Sequence, residues 1–349
     1  MSDAVRAALA AVVGGTTLTR EQAREAMTQV MDGEATPSQL AALLVALRMR
    51  GETVEELTGF AGVMRERVLR VTAPAGTIDV VGTGGDGSGT FNISTAAAIV
   101  VAAAGVPVAK HGNRAITSAS GSFDVLEALG VTVEQTAEAA AEALREDGFA
   151  FLFAPAFHPA MRHAGPTRRE IGVRTAFNLI GPLTNPAGVR RQLLGVAEPG
   201  AAAAIAAVAH ELGTDRTFVV AGDGVDELPL DGSGVIHDVT PAGVTHVGVT
   251  AAELRGLGLP VAPTDALRGG PPADNARLIE AVFGGAQGPP RAVVVLNAGA
   301  ALQVAGRVAT LLAGTQLAAR TIDSGSAAAL LNRLRARRAA AAAVEAAPA

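Results

Sequence analysis

Apolar positions repeat with one period over the first fifth of the chain and with another after it. Residues 1 to about 70 carry helical spacing only. Leu40, Leu43, Leu44 and Leu47 fall at i, i+3, i+4 and i+7, one apolar face of a helix that Gly51 ends. Thr19-Arg20-Glu21-Gln22, Thr36-Pro37-Ser38-Gln39 and Thr53-Val54-Glu55-Glu56 each set a hydroxyl three residues ahead of Gln or Glu, the pattern of a capping box. Helices this short must bury their faces against something larger, by core packing or at a dimer interface. The opening stretch, MSDAVRAALAAVVGG, has an early Asp and a single Arg; it reads as a first helix and makes a poor signal peptide. Val71 to Gly76, with Pro74, is a linker.

Beyond the linker, short β-branched runs alternate with helical stretches, the pattern of an α/β fold with a mostly parallel sheet. Strands are predicted at Ile78–Val81, Val106–Ala109, Phe149–Phe153, Gln192–Val196, Thr217–Ala221 and, last, Val293–Asn297. Helices are predicted after Asn92, over Ser122–Leu129, over residues 200–212 and from Asp274, with short strands and turns between 228 and 265. The Ala/Arg-rich tail from Arg333 is expected to fray. Residues 162–190 stand apart: Arg162, His163, Arg168, Arg169 and Arg174 concentrate positive charge, and Gly181-Pro182-Leu183-Thr184-Asn185-Pro186 breaks the chain repeatedly. This segment is expected to return to the helical part as a hinge. The domains are accordingly 1–72, joined by about 165–190, and an α/β domain of 76–164 and 191–345.

The chemistry concentrates in Ile78–Leu126. The first strand ends in Gly82-Thr83-Gly84-Gly85-Asp86-Gly87-Ser88-Gly89, and Asn92-Ile93-Ser94-Thr95 opens the next helix. The second strand runs into Lys110-His111-Gly112-Asn113-Arg114. Two parallel strands thus bring two polar loops to one sheet edge, where open α/β folds bind ligands. Glycines let backbone N–H groups close on phosphate oxygens, the helix N-terminus adds donors, and Lys110 and Arg114 add charge. Asp86 fits beside a phosphate only through a cation or a ribose hydroxyl. A second helix start, at Ser118 to Ser122, is a further potential anion cradle. Gly82 to Gly87 satisfies GxGxxG formally, yet no acidic residue follows the second strand to hold a ribose, and a Walker loop would need a Lys after Gly89. Adjacent carboxylates at Asp226-Glu227, past a strand end, are either a solvated turn or ligands for Mg²⁺ shared with substrate phosphates.

Composition narrows the class. The chain has 349 residues, no cysteine and a formal net charge of −5, which excludes disulfides and thiolate chemistry and argues against a general nucleic-acid binder. No apolar run approaches a membrane span, and a cytoplasmic location is expected. No histidine pair has zinc-ligand spacing, and no GxSxG elbow occurs. These residues suit anion binding with a hard cation, and hence a substrate that carries its own leaving group.

In order along the chain, GTGGD at Gly82–Asp86, NIST at Asn92–Thr95, KHGNR at Lys110–Arg114, HPAM at His158–Met161, GVRTAFN at Gly172–Asn178, GPLTNP at Gly181–Pro186 and the Asp226-Glu227 pair closely resemble the anthranilate phosphoribosyltransferase family. The resemblance runs from Leu18 to Asn297-Ala298-Gly299, almost the whole chain. It implies a small helical domain and a large α/β domain with the active site between them. It further implies transfer of a phosphoribosyl group from phosphoribosyl pyrophosphate to the amine of anthranilate, in tryptophan biosynthesis. Carried onto this chain, it assigns the donor to Gly82, Gly85, Asp86, Thr90, Asn92, Ile93, Ser94, Thr95, Lys110, His111, Gly112, Asn113, Arg114, Ser118 and Ser122. It assigns anthranilate to Gly82, Asn113 and Arg168, and Mg²⁺, two ions per subunit, to Ser94, Asp226 and Glu227. No residue is expected to act as a strong base, and a homodimer through the helical domain is implied. Two relatives of the same fold compete: a pyrimidine nucleoside phosphorylase, and a non-catalytic nucleic-acid-binding protein. The KHGNR string and the Asp226-Glu227 pair fit a pyrophosphate substrate better than the first, and the pI of about 5.7 with the same pair counts against the second.

Overall fold

The computed structural model describes residues 3–115 and 119–345. Its first four helices, Ala4–Val13, Arg20–Met31, Pro37–Arg50 and Val54–Arg67, form a bundle. All three expected capping boxes close: Thr19 with Gln22, Thr36 with Gln39 and Thr53 with Glu56. Leu40, Leu43, Leu44 and Leu47 are all buried within this chain, so they are core and offer no face to a partner. Ala164, Ala176, Phe177, Leu179, Ile180 and Leu183 join the same apolar cluster, as do Leu194 and Val219 from the sheet. The segment after residue 160 therefore packs back on the bundle and seats it against one sheet face.

The sheet contains β1 (Asp79–Gly82), β4 (Arg191–Gly195), β5 (Arg216–Ala221), β6 (Gly234–Thr240) and β7 (Gly243–Val249), in that spatial order. β1, β4 and β5 run parallel, and β6 and β7 add an antiparallel hairpin. β2 (Val108–Gly112) and β3 (Phe149–Phe153) form a separate parallel pair. Sequence reasoning put β1 and β2 at the edge of one sheet; they belong to two, and ladder pairing next to them is limited to the bridge between Ile78 and Val108. There Ile78 N–H donates to Pro107 O at 2.9 Å and Ala109 N–H donates to Ile78 O at 3.0 Å. The ladder then stops because side chains take its places. Asn185 Nδ2 donates to Ala109 O (2.8 Å), His111 N–H donates to the Asp79 carboxylate (3.2 Å), and Lys110 Nζ donates to Val80 O (2.7 Å). The two strands splay around this polar wedge, which opens the sheet above it.

Two further expectations fail. Val293–Asn297 is not a strand: it lies inside the helix Pro289–Val304, which is buried on all sides from Ala292 to Leu302. A helix surrounded by protein shows no polar face, so its run of valines mimics a buried strand. Nor does the tail fray from Arg333, since the helix Ser326–Glu345 continues through it. Arg335 Nε caps Leu129 O at 2.6 Å, and Arg337 pairs with Glu146 and Asp147.

Candidate active site

The glycine-rich loop leaves β1 at Gly82 and turns through Gly84, Gly85, Gly87 and Gly89, whose φ values of 66° to 73° lie in the left-handed region. It is tied down at both ends. Thr83 N–H donates to Gly195 O at 2.9 Å and Gly84 N–H to Asp226 Oδ2 at 2.7 Å. At the far end Gly269 N–H donates to Gly89 O and Phe91 N–H to Leu267 O. The helix Ile93–Ala103 follows at once, and its first-turn N–H groups have no intrahelical acceptors. Asn92 precedes it without capping it. Its Nδ2 donates to Ser120 O, while its Oδ1 accepts from Ser120 Oγ and from Asn275 Nδ2, so Asn92 staples three segments together. Ser88 Oγ bridges Asp86 Oδ2 (2.7 Å) and Thr90 Oγ1 (3.1 Å).

Three carboxylates converge beside this loop. Asp86, Asp226 and Glu227 each offer an oxygen lying within 4.8 Å of the others'. Close packing on glycine makes this possible: a Cβ on Gly195 would stand 1.5 Å from Asp226 O, and one on Gly82 would stand 2.2 Å from Asp226 Oδ2. Burial raises the pKa of Asp226 to about 6, with the charge of Asp86 adding to it; burial and then Asp226 push Glu227 well above the usual carboxylate range. Glu227 Oε2 is buried without a hydrogen-bond partner. Three converging carboxylates, two of them buried and one oxygen left orphaned, are the donor set of a hard divalent cation, and the residues fit Mg²⁺. Of the expected ligands, Asp226 and Glu227 are joined by Asp86; Ser94 accepts from Lys110 Nζ at 3.4 Å, and the charge of Lys110 also acts on Glu227.

Lys110 is not a loop cation. It lies on β2, almost fully buried, and burial lowers its pKa to about 8 while Asp79 opposes that shift. His111 beside it is lowered to about 3, chiefly by burial and then by His158, and His158 is lowered to about 4 by burial. The two rings sit 5.1 Å apart, both neutral, each with an unpartnered Nε2. Past Gly112 the chain reaches Asn113, which is exposed, as is Arg114. Arg114 turns over the Phe123 ring, 3.7 Å from its centroid, with Asp124 at 3.6 Å, so its charge is answered by the helix Ser122–Ala128. The expected cradle at that helix start is partly filled from within: Asp124 Oδ2 accepts both Ala115 N–H and Gly121 N–H. Ser122 Oγ donates to Asn113 O at 3.4 Å, and Ser118 lies outside the described residues.

Arg168, on the helix Gly165–Ile171, stacks 4.8 Å from the Phe177 ring. Burial lowers its pKa to about 10, which leaves it charged at neutral pH, and among the described residues it has no carboxylate partner. It is a half-buried planar cation stacked on an aromatic ring, with no carboxylate against it among the described residues. Further along, Arg174 donates to Gly84 O and Gly85 O.

Buried polar atoms lacking partners concentrate in this region: among the described residues they include Thr95 Oγ1, His111 Nε2, His158 Nε2, Arg174 Nη2, Thr175 Oγ1 and Glu227 Oε2. Sequence reasoning missed Asp79, Asn185 and Asn275, which brace the site from behind, and gave Arg174 no role. Asn185 stood in the conspicuous GPLTNP string; Asp79 and Asn275 carried no signal beyond a strand start and a helix start.

Residues 6–68 match the family described as "Glycosyl transferase family, helical bundle domain", and residues 75–328 match "Glycosyl transferase family, a/b domain". The chain is 51% identical over 334 residues to the anthranilate phosphoribosyltransferase of Symbiobacterium thermophilum, covering 95% of this chain and 97% of that one. It superimposes on the crystal structure of anthranilate phosphoribosyltransferase from Thermus thermophilus with a TM-score of 0.89 at 46% identity, covering 97% and 99% of the two chains. The Saccharomyces cerevisiae anthranilate phosphoribosyltransferase in complex with PRPP (phosphoribosyl pyrophosphate) and Mg gives 0.86 at 25% identity, again over 97% and 99%. A bundle, a splayed parallel sheet and a carboxylate cluster under a glycine loop thus belong to a chain matched by these proteins over 95% to 97% of its length, and the chain is a member of the anthranilate phosphoribosyltransferase family.

Proposed function

We propose that the protein transfers the 5-phosphoribosyl group of phosphoribosyl pyrophosphate to the amine of anthranilate, releasing pyrophosphate. The observation that carries this reading is the meeting of Asp86, Asp226 and Glu227 beneath a loop whose glycines expose backbone donors. Asp86, Asp226 and Glu227, with Ser94, would hold Mg²⁺, which when bound neutralises the charge that grows on the departing pyrophosphate. We propose two such ions per subunit, for which these residues would supply the protein ligands.

The chain's own groups do the rest. The loop from Gly82 through Gly85 to Thr90, the helix start at Asn92, Ile93, Ser94 and Thr95, and Lys110 to Arg114 with Ser122 receive the donor. Buried Lys110 acts through its field on the carboxylates and on Ser94 rather than as a free arm. Arg168 takes the anthranilate carboxylate with its planar fork, and Asn113 and the Gly82 backbone orient the ring. His111 and His158, held neutral, hydrogen-bond without delivering a full charge. As the bond to C1′ breaks, the amine held at its opposite face completes the displacement, so positioning dominates and no strong base is needed.

No helix among the described residues is long and apolar enough to cross a membrane, and we place the enzyme in the cytoplasm. We divide the chain into the helical unit 1–72 joined by about 165–190, and the α/β unit of 76–164 and 191–345, with the cleft between them. A homodimer through the bundle is supported by Met49 and Val13, which are largely exposed there.

The test is pyrophosphate release. Protein, Mg²⁺, phosphoribosyl pyrophosphate and anthranilate together release it; omission of anthranilate stops the release. Phosphorolysis of thymidine or uridine, with no such release, would replace the reading with a nucleoside phosphorylase.

A further inference from the structure

We propose that Arg174 is a positioning residue for the donor loop: by holding the Gly84 and Gly85 carbonyls it aims the N–H groups of Gly85 and Asp86 at the donor's diphosphate. The proposal rests on the reading that the loop Gly82–Gly89 receives phosphoribosyl pyrophosphate, and it assigns the loop's shape to a side chain from the acceptor segment.

One guanidinium nitrogen, Nη1, donates to Gly84 O at 2.8 Å and to Gly85 O at 2.9 Å. A trans peptide sets its C=O and the following N–H on opposite edges. Fixing the Gly84 carbonyl therefore fixes the direction of the Gly85 N–H, and fixing the Gly85 carbonyl fixes that of Asp86. Both N–H groups point away from Arg174.

The loop needs such a clamp. Gly84 and Gly85 share a φ of 66°, and a Cβ at Gly84 would meet nothing within 4 Å, so no neighbour crowds Gly84 into this conformation. Among the described residues no other hydrogen bond reaches either carbonyl. The Gly84 N–H is already committed to Asp226 Oδ2, which leaves Gly85 and Asp86 as the next backbone donors in line.

The clamp is itself anchored. The Arg174 side chain is only 25% exposed, and its Nε stands 4.0 Å from Glu198 Oε1, the oxygen that receives Arg48 Nη2 at 3.0 Å. Arg48 lies on the bundle helix Pro37–Arg50, and Arg168 lies six residues before Arg174. The donor loop is thus shaped from the opposite wall of the cleft.

Arg174→Ala and Arg174→Lys, assayed with donor and acceptor varied separately, test this. Arg174→Ala is expected to raise the KM for phosphoribosyl pyrophosphate about tenfold or more, the scale of two charge-assisted hydrogen bonds, and that for anthranilate less than about threefold. Arg174→Lys, able to reach one carbonyl at a time, recovers part of the donor KM. Inactive wild-type protein would remove the reading on which the proposal rests. An active wild type with an unchanged donor KM in Arg174→Ala would overturn the positioning role alone. Equal rises in both KM values in both variants, with lowered melting temperatures, would make Arg174 a general structural residue and overturn it as well.

Discussion

Asp226 accepts the Gly84 N–H while Asp86 and Glu227 crowd the same space, and burial, with the charge of Asp86 adding to it, raises its pKa to about 6. A carboxylate raised on folding binds its proton more tightly in the folded state. Its stabilising contribution is present below its ordinary pKa and is lost as pH rises through about 6. Bound Mg²⁺ reverses that loss. His111 and His158, lowered to about 3 and about 4, work the other way: their contribution is lost as pH falls below the ordinary histidine range. That effect is common to samples with and without metal, so the difference between them reports the carboxylates together with Lys110, which near pH 8 loses charge and favours the cation in the same direction. Saturating Mg²⁺ should raise the melting temperature more at pH 8 than at pH 5, and an equal rise at both would count against the cluster as a metal site. In turnover, Asp226→Asn with Glu227→Gln should cost on the order of a hundredfold or more. Near-normal rates at limiting Mg²⁺ would contradict this.

Backbone packing around the metal loop leaves little room. A methyl at Gly195 would collide with Asp226 O at 1.5 Å, so Gly195→Ala should shift the Asp226-Glu227 turn off β4 and abolish Mg²⁺-dependent activity while the bundle stays folded by circular dichroism. The wedge between β1 and β2 makes a second case. Asn185→Ala removes donors from Asp79 Oδ2 and Ala109 O, leaving both buried, and should destabilise by about 3 kcal/mol in denaturant unfolding. The bundle's helix starts were legible because a capping box is local: Thr36 and Gln39 sit three residues apart, and Thr36→Ala should cost about 1 kcal/mol. The wedge was not legible, since Asn185 lies 106 residues from Asp79 and nothing local marks a pairing of that range. Lys110 misled for the same reason: its string reads as a loop, yet a carbonyl and a hydroxyl from two other elements draw its stem inward. Val293–Asn297 misled because burial on every side erases periodicity.

Across the whole chain, the helical bundle and the 164–183 segment share a core that also includes Leu194 and Val219 of the sheet. Arg168 and Arg174 approach from that side; the glycine loop and the three carboxylates approach from the other. The division into a helical and an α/β part was readable from the change of period after residue 70, and the donor loop from its glycines. What joins them was not, because Arg174 to Gly84 and Arg48 to Glu198 are contacts between distant residues of ordinary type. The most direct measurement of the central claim follows the native fluorescence of anthranilate after mixing with Mg²⁺, phosphoribosyl pyrophosphate and the protein, beside Arg168→Ala. The fluorescence should fall with wild-type protein, and the variant should need on the order of tenfold or more anthranilate for the same rate. If wild-type protein binds phosphoribosyl pyrophosphate yet leaves the fluorescence unchanged, the donor site stands and the transfer to anthranilate does not.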